Sequence, residues 1–223
     1  MGVLNLWEEP QTRRTNRGTE PPPSASVSDA PDPSDGSGAD NYRTRSGDAG
    51  PQPTGTSDVR LGATSDGEDE AWPSAGATGD DSHGDADEDG LVDPVGDLNL
   101  SPLSVPTVRV SVTNLRSVPA TLYGWIDYNG NGEFENGTER ASVIVPPNTN
   151  GAEVTLTFPA VPLLAAADTF ARFRLSTDPS AQNPTGAAVD GEVEDYLVRV
   201  STVLVTTAAD ENDGPGVGAG TSL

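Results

Sequence analysis

Two short stretches space oxygen-bearing side chains at every second position and then place a glycine: Asp85-Ala-Asp87-Glu-Asp89-Gly90 and Asp127-Tyr-Asn129-Gly-Asn131-Gly132. Alternate side chains of such a hexapeptide point inward around a hard cation, and the glycine permits the sharp turn. Two of them in 223 residues with a formal charge of -23 predict calcium (Ca2+) as a structural cofactor. Calcium would also take over a task that disulfides cannot perform here, because the chain contains no cysteine.

The charge balance narrows the partners. Acidic residues number 35 against 12 basic ones, and every basic residue is arginine. Nucleic acid and anionic membrane surfaces would repel such a chain. No apolar run reaches the length of a membrane helix, which predicts no membrane insertion. Met1–Trp7 is too short for a signal-peptide core, so the reading is a fragment of a larger exported protein, extracellular or at the cell surface. A lysine-free, aspartate-rich composition fits either a GC-rich genome or a salty habitat.

Residues 1–57 are rich in Pro, Ser, Gly, Asp and Thr and nearly lack branched aliphatics, which predicts a disordered or loosely draped segment. Residues 66–97 form an acidic, calcium-type loop within a domain spanning 58–207, and 208–223 read as a linker. From Val105 onward, short alternating runs bounded by turn residues predict strands over Thr107–Asn114, Ala120–Asp127, Arg140–Val145, Glu153–Pro159, Thr169–Thr177 and Val193 to about Val205. Leu163–Asp168 is the one candidate helical turn. Eight of the eleven aromatic residues fall between Tyr123 and Tyr196, where a core is expected. The fold class is all-β: an antiparallel β-sandwich of about 6–8 strands with long acidic loops.

The stretch Ala187-Ala-Val-Asp190-Gly191-Glu192-Val193-Glu194-Asp195-Tyr196 resembles the signature of the GEVED domain, a module of bacterial surface and secreted proteins. Asp29-Ala-Pro-Asp32, Leu61-Gly-Ala-Thr-Ser-Asp66-Gly-Glu68, Ala77-Thr-Gly-Asp80-Asp81, Asp87-Glu-Asp89-Gly90, Trp125–Gly132 and Ala171–Ser176 fit the same family in its order, over roughly residues 28–200. The resemblance implies a β-sandwich module, often repeated within multidomain surface proteins, with no known catalytic activity.

Candidate calcium ligands in the first loop are Asp85, Asp87, Asp89 and Asp93, at positions 1, 3, 5 and 9 of a calcium-loop template; a solvated acidic linker is the simpler alternative. Position 12 holds Gly96, so this is no helix-loop-helix hand. In the second loop the candidates are Asp127, Asn129, Asn131 and Glu139, and an Asn-Gly hairpin is compatible with them. Glu192 and Glu194 lie on one face of a predicted strand, about 7 Å apart. Arg172 and Arg174 are their expected cross-strand ion-pair partners. Asp190 and Asp195 remain candidate ligands of a second, shared ion.

His83, the sole histidine, is expected to be solvated, and no nucleophile–base pair is evident. The expectation is a non-catalytic, calcium-stabilised structural or adhesive module. Its partners would be calcium, neighbouring modules of the same polypeptide and surface glycans or proteins. The alternative is an accessory carbohydrate-binding module of a secreted enzyme, with Tyr123, Trp125 and Tyr128 as an exposed stacking strip. The simpler reading packs those rings in the core.

Overall fold

The computed structural model describes residues 28–54, 58–63, 71–79 and 88–201. Among the described residues the strands in chain order are β1 (Gln52–Pro53), β2 (Val59–Leu61), β3 (Asn99–Leu100), β4 (Thr107–Asn114), β5 (Ala120–Ile126), β6 (Arg140–Val145), β7 (Thr149–Thr157), β8 (Asp168–Ser176), β9 (Ala187–Ala188) and β10 (Glu192–Val200), with a short α-helix, α1 (Pro94–Asp97), before β3 and 3-10 turns at Ser46–Asp48 and Pro179–Gln182. A five-stranded sheet runs β3-β10-β8-β5-β6, and a three-stranded sheet runs β2-β4-β7. The expected all-β sandwich is therefore present.

The alternation that predicts the strands also builds the core. Val108, Val110 and Val112 of β4 point inward, as do Leu122 and Ile126 of β5, Phe173 and Leu175 of β8, and Val198 of β10. Gly124 sits in the middle of β5 for a packing reason. A Cβ there would come within 2.8 Å of Leu156 and Phe158 on the facing sheet. The Leu156 and Phe158 side chains pack directly against the β5 backbone at that point.

The opposite face of the five-stranded sheet carries a second core: Trp125 and Phe170 pack with Ala30, Tyr42, Ala77 and Phe134. The Tyr42 ring stacks on Phe134 at 5.2 Å and meets Phe170 edge-on at 5.1 Å. Of the segment expected to be disordered or loosely draped, residues 28–54 are docked on the sandwich, and residues 1–27 and 55–57 lie outside the described residues. Composition misses this because the docking relies on one aromatic ring and several buried carboxylates, not on a run of aliphatics.

Other differences are local. Leu163 and Leu164 form a turn rather than helix and Asp168 opens β8, while the short α-helix is Pro94–Asp97, started by Asp93, whose side chain accepts the Gly96 N–H. The sandwich is mostly antiparallel, but β1 pairs β9 and β3 pairs β10 in two-residue parallel ladders. Asn150-Gly151, a turn-favouring pair by residue type, lies inside β7, where β4 carries an irregularity between Val112 and Asn114. The strand expected to run to about Val205 ends at Val200, and the residues after Ser201 lie outside the described set.

Candidate metal centre

The second oxygen-rich loop leaves β5 and turns at once. Asp127 is fully buried and organises the turn. One carboxylate oxygen accepts the Gly130 and Asn131 N–H groups (2.7 and 3.3 Å), and the other accepts Gly132 N–H and the Tyr42 hydroxyl (2.9 and 2.8 Å). Gly132 is required here. Its φ is +78°, and a Cβ would collide with the Gly38 carbonyl at 1.9 Å. The loop and the docked N-terminal segment are thus built against each other.

Glu139, also buried, closes the loop from the other side: its two oxygens accept Tyr128 N–H and Glu135 N–H at 2.9 and 2.8 Å. Glu135, Asn129 and Asn131 complete the ring of polar groups. The Asn131 amide donates to Glu135 at 2.8 Å, and the Asn129 amide reaches both Glu135 (3.2 Å) and Glu139 (3.5 Å). Burial and the neighbouring Glu135 push the Glu139 carboxyl up to about 9, while the hydrogen bond from Glu139 lowers Glu135. The two shifts favour a protonated Glu139 beside an ionised Glu135. Glu135 is a group that the sequence reading missed, although it occupies the ninth position of a loop counted from Asp127.

Among the described residues no three or more Asp, Glu or His side chains form a ready-made metal cluster. In this loop the additional oxygens would come from amides. Turning the Asn129 amide by about 180° exchanges nitrogen for oxygen at no steric cost and presents an acceptor instead of a donor. An all-oxygen donor set around a protonated carboxyl fits calcium rather than a transition metal.

The other cluster surrounds β10. In its antiparallel register with β8, Asp195 lies opposite Arg172, Val193 opposite Arg174, Glu194 opposite Phe173 and Glu192 opposite Leu175. Opposed residues share a face, so the glutamates and the arginines lie on opposite faces of the sheet. The expected arginine–glutamate ladder is therefore corrected.

Arg172 instead grips Asp195 with two bonds of 2.8 Å in a fully buried pair. It also donates to the carbonyls of Arg43 and Pro184 and to the Thr44 hydroxyl, and lies 5.0 Å over the Phe134 ring. Arg174 donates to the carbonyls of Asn183, Thr185 and Gly186, and its burial, with Arg172 nearby, lowers it to about 10. Glu192 faces the other sheet, accepting the Leu61 N–H of β2. Glu194 accepts the Tyr196 hydroxyl at 2.7 Å, and that hydroxyl accepts the Leu91 N–H. Gly90 passes so close that a Cβ would lie 2.3 Å from Glu194. Each charged residue of the signature therefore anchors a different segment.

Residues 121–199 match the family model of the GEVED domain. Over this segment the chain is similar to the GEVED domain. No curated protein matches the chain.

Within this segment, Asp190 and Asp195, expected to share an ion, are bonded to different partners. Asp195 is saturated by Arg172 and the Ala30 N–H, and Asp190 by the Ser176 and Thr177 hydroxyls and the Thr177 N–H. Ahead of it, Asp93 caps α1 and pairs with Arg109 at 3.6 Å instead of entering a calcium loop. Asp89 accepts the Ala63 N–H with both oxygens. Asp85, Asp87 and His83 lie outside the described residues. The proposed stacking strip is also corrected. Trp125 is 0 % exposed with its indole N–H on Asn136, Tyr128 is 2 % exposed with its hydroxyl on the Pro159 carbonyl, and Tyr123 is half-buried beneath Arg140. Among the described residues no helix is long and apolar enough to cross a membrane.

Proposed function

We propose that this chain is a non-catalytic, calcium-stabilised structural and adhesive module of a bacterial surface or secreted protein. The observation that carries the reading is the Asp127–Glu139 loop. It holds two buried carboxylates, one of them raised by burial and by a third beside it, next to two amides that can offer oxygen. A calcium ion would replace the Glu139 proton and relieve the like-charge contact. The remaining acids of a chain with charge -23 would be held together more firmly once the cation is bound.

The linkage is quantitative. A cation that binds only the folded state adds about 2.7 kcal/mol when present at about one hundred times its Kd. The test is thermal unfolding of the full chain in EDTA, in calcium and in magnesium. The expected result is a Tm that climbs with calcium and little with magnesium, and a climb abolished by Glu139→Gln. A Tm indifferent to calcium would sink the reading and leave the loop as a hydrogen-bonded turn.

A further inference from the structure

Asn-Gly pairs carry a chemistry of their own. The glycine nitrogen can attack the amide carbon of the preceding side chain, because no Cβ shields it. The chain contains four such pairs: Asn129-Gly130, Asn131-Gly132, Asn136-Gly137 and Asn150-Gly151. By residue type the four are alike, and the fold separates them.

Three of the glycine N–H groups are held. Gly130 and Gly132 donate to the two oxygens of Asp127 at 2.7 and 2.9 Å, and Gly151 donates to the Thr113 hydroxyl at 3.0 Å. Each nitrogen must break that bond before it can attack. Beside Asp127 the carboxylate also opposes loss of an amide proton, since a second negative charge would form next to it. Gly137 differs. Its N–H has no acceptor among the described residues, and a Cβ built on it meets nothing within 4 Å. Asn136 and Gly137 are both exposed, so water reaches them.

The carbon under attack is also prepared. The indole N–H of Trp125 donates to the Asn136 side-chain oxygen at 2.9 Å. An indole nitrogen only donates, so this bond fixes which atom of the amide is oxygen and leaves the Asn136 nitrogen as the outward, departing group. A donor on that oxygen stabilises the negative charge that develops there when the carbon is attacked. Trp125 is buried in the aromatic core, which keeps its N–H in place.

We infer that Asn136 is a site of spontaneous deamidation, favoured by the fold over the other three Asn-Gly pairs. The Gly137 nitrogen loses its proton and bonds to Cγ of Asn136. The bond from Cγ to Nδ2 breaks, and that nitrogen leaves with the proton as ammonia. Water then opens the cyclic imide at either carbonyl, giving aspartate or isoaspartate. The product adds a negative charge to the turn between Glu135 and Glu139. The reaction does not depend on calcium in the Asp127–Glu139 loop.

The test is incubation of the full chain in mildly alkaline buffer, with samples taken over time, digested with trypsin and read by fragmentation mass spectrometry. Asn129, Asn131 and Asn136 fall in one tryptic peptide, residues 117–140, so they are compared within the same molecule. The expected result is conversion of amide to acid at Asn136 at least about tenfold faster than at the other three pairs. In urea that lead should shrink, because the bonds that hold the other glycines are gone. Gly137→Ala, on the open side of the turn, should slow conversion at Asn136. Conversion led by another pair, equal conversion at all four in the folded chain, or none at Asn136 would overturn the inference. A lead at Asn136 of the same size in urea would also overturn it, since local sequence and not the fold would then be the cause.

Discussion

At the scale of single residues, the Arg172–Asp195 pair is the joint on which the N-terminal segment turns. Both side chains are fully buried, and every bond from Arg172 outside the pair reaches either residues 43–44 or Pro184. Removing one member of such a buried pair costs about 3–5 kcal/mol, because the other charge is left without compensation. Arg172→Met is therefore expected to lower the urea midpoint sharply, and Asp195→Leu alone should do likewise. The double variant should recover much of the loss, since an apolar pair removes both charges together. A double variant no better than either single one would show that the carbonyl bonds, and not the ion pair, dominate. The residue types of this joint were visible in the sequence, but the partner was not. Arg172 and Arg174 stand two apart, as do Glu192 and Glu194, and only the register shows that the two pairs point away from each other.

At the scale of elements, residues 28–54 act as a third layer over the five-stranded sheet. They supply Tyr42, which packs on Phe134 and Phe170 and also donates to Asp127. The aromatic second core, the Asp127–Glu139 loop and the signature aspartate all lean on this one segment. Deleting residues 1–54 is expected to expose Trp125, seen as a red shift of tryptophan fluorescence, and to lower the Tm by many degrees. Tyr42→Ala alone should cost about 3–5 kcal/mol, within the range for an aromatic removed from a core. A truncated chain with unshifted fluorescence and an unchanged Tm would overturn the layer's role. Strand positions β4 and β6 coincide with the alternating runs, since alternation is a local property of a half-buried strand. The N-terminal layer has no such periodicity, so no local pattern in it announces docking.

At the scale of the whole molecule, the excess of acids is met partly by geometry and partly by protons. Glu139 ordinarily titrates near 4.5 when exposed and is pushed up to about 9 by its burial in the fold. The folded state thus binds more protons than the unfolded one between those values, and stability falls as pH rises through that window. In EDTA the Tm should therefore decline from about pH 5 to about pH 9. Calcium competes with the proton, so the difference in Tm between calcium and EDTA should widen over the same range. A flat EDTA profile would show that Glu139 keeps an ordinary carboxyl. By itself the sequence determined the all-β class, most strand positions, the GEVED signature and the oxygen-rich loop at Asp127, because each depends on local spacing. Tertiary structure alone decided which carboxylate meets Arg172, that the polar N-terminal segment is docked, that Glu135 joins Glu139, and that Trp125 is buried. Those outcomes depend on the register of distant strands and on which face of a sheet is covered, and no local pattern carries that information.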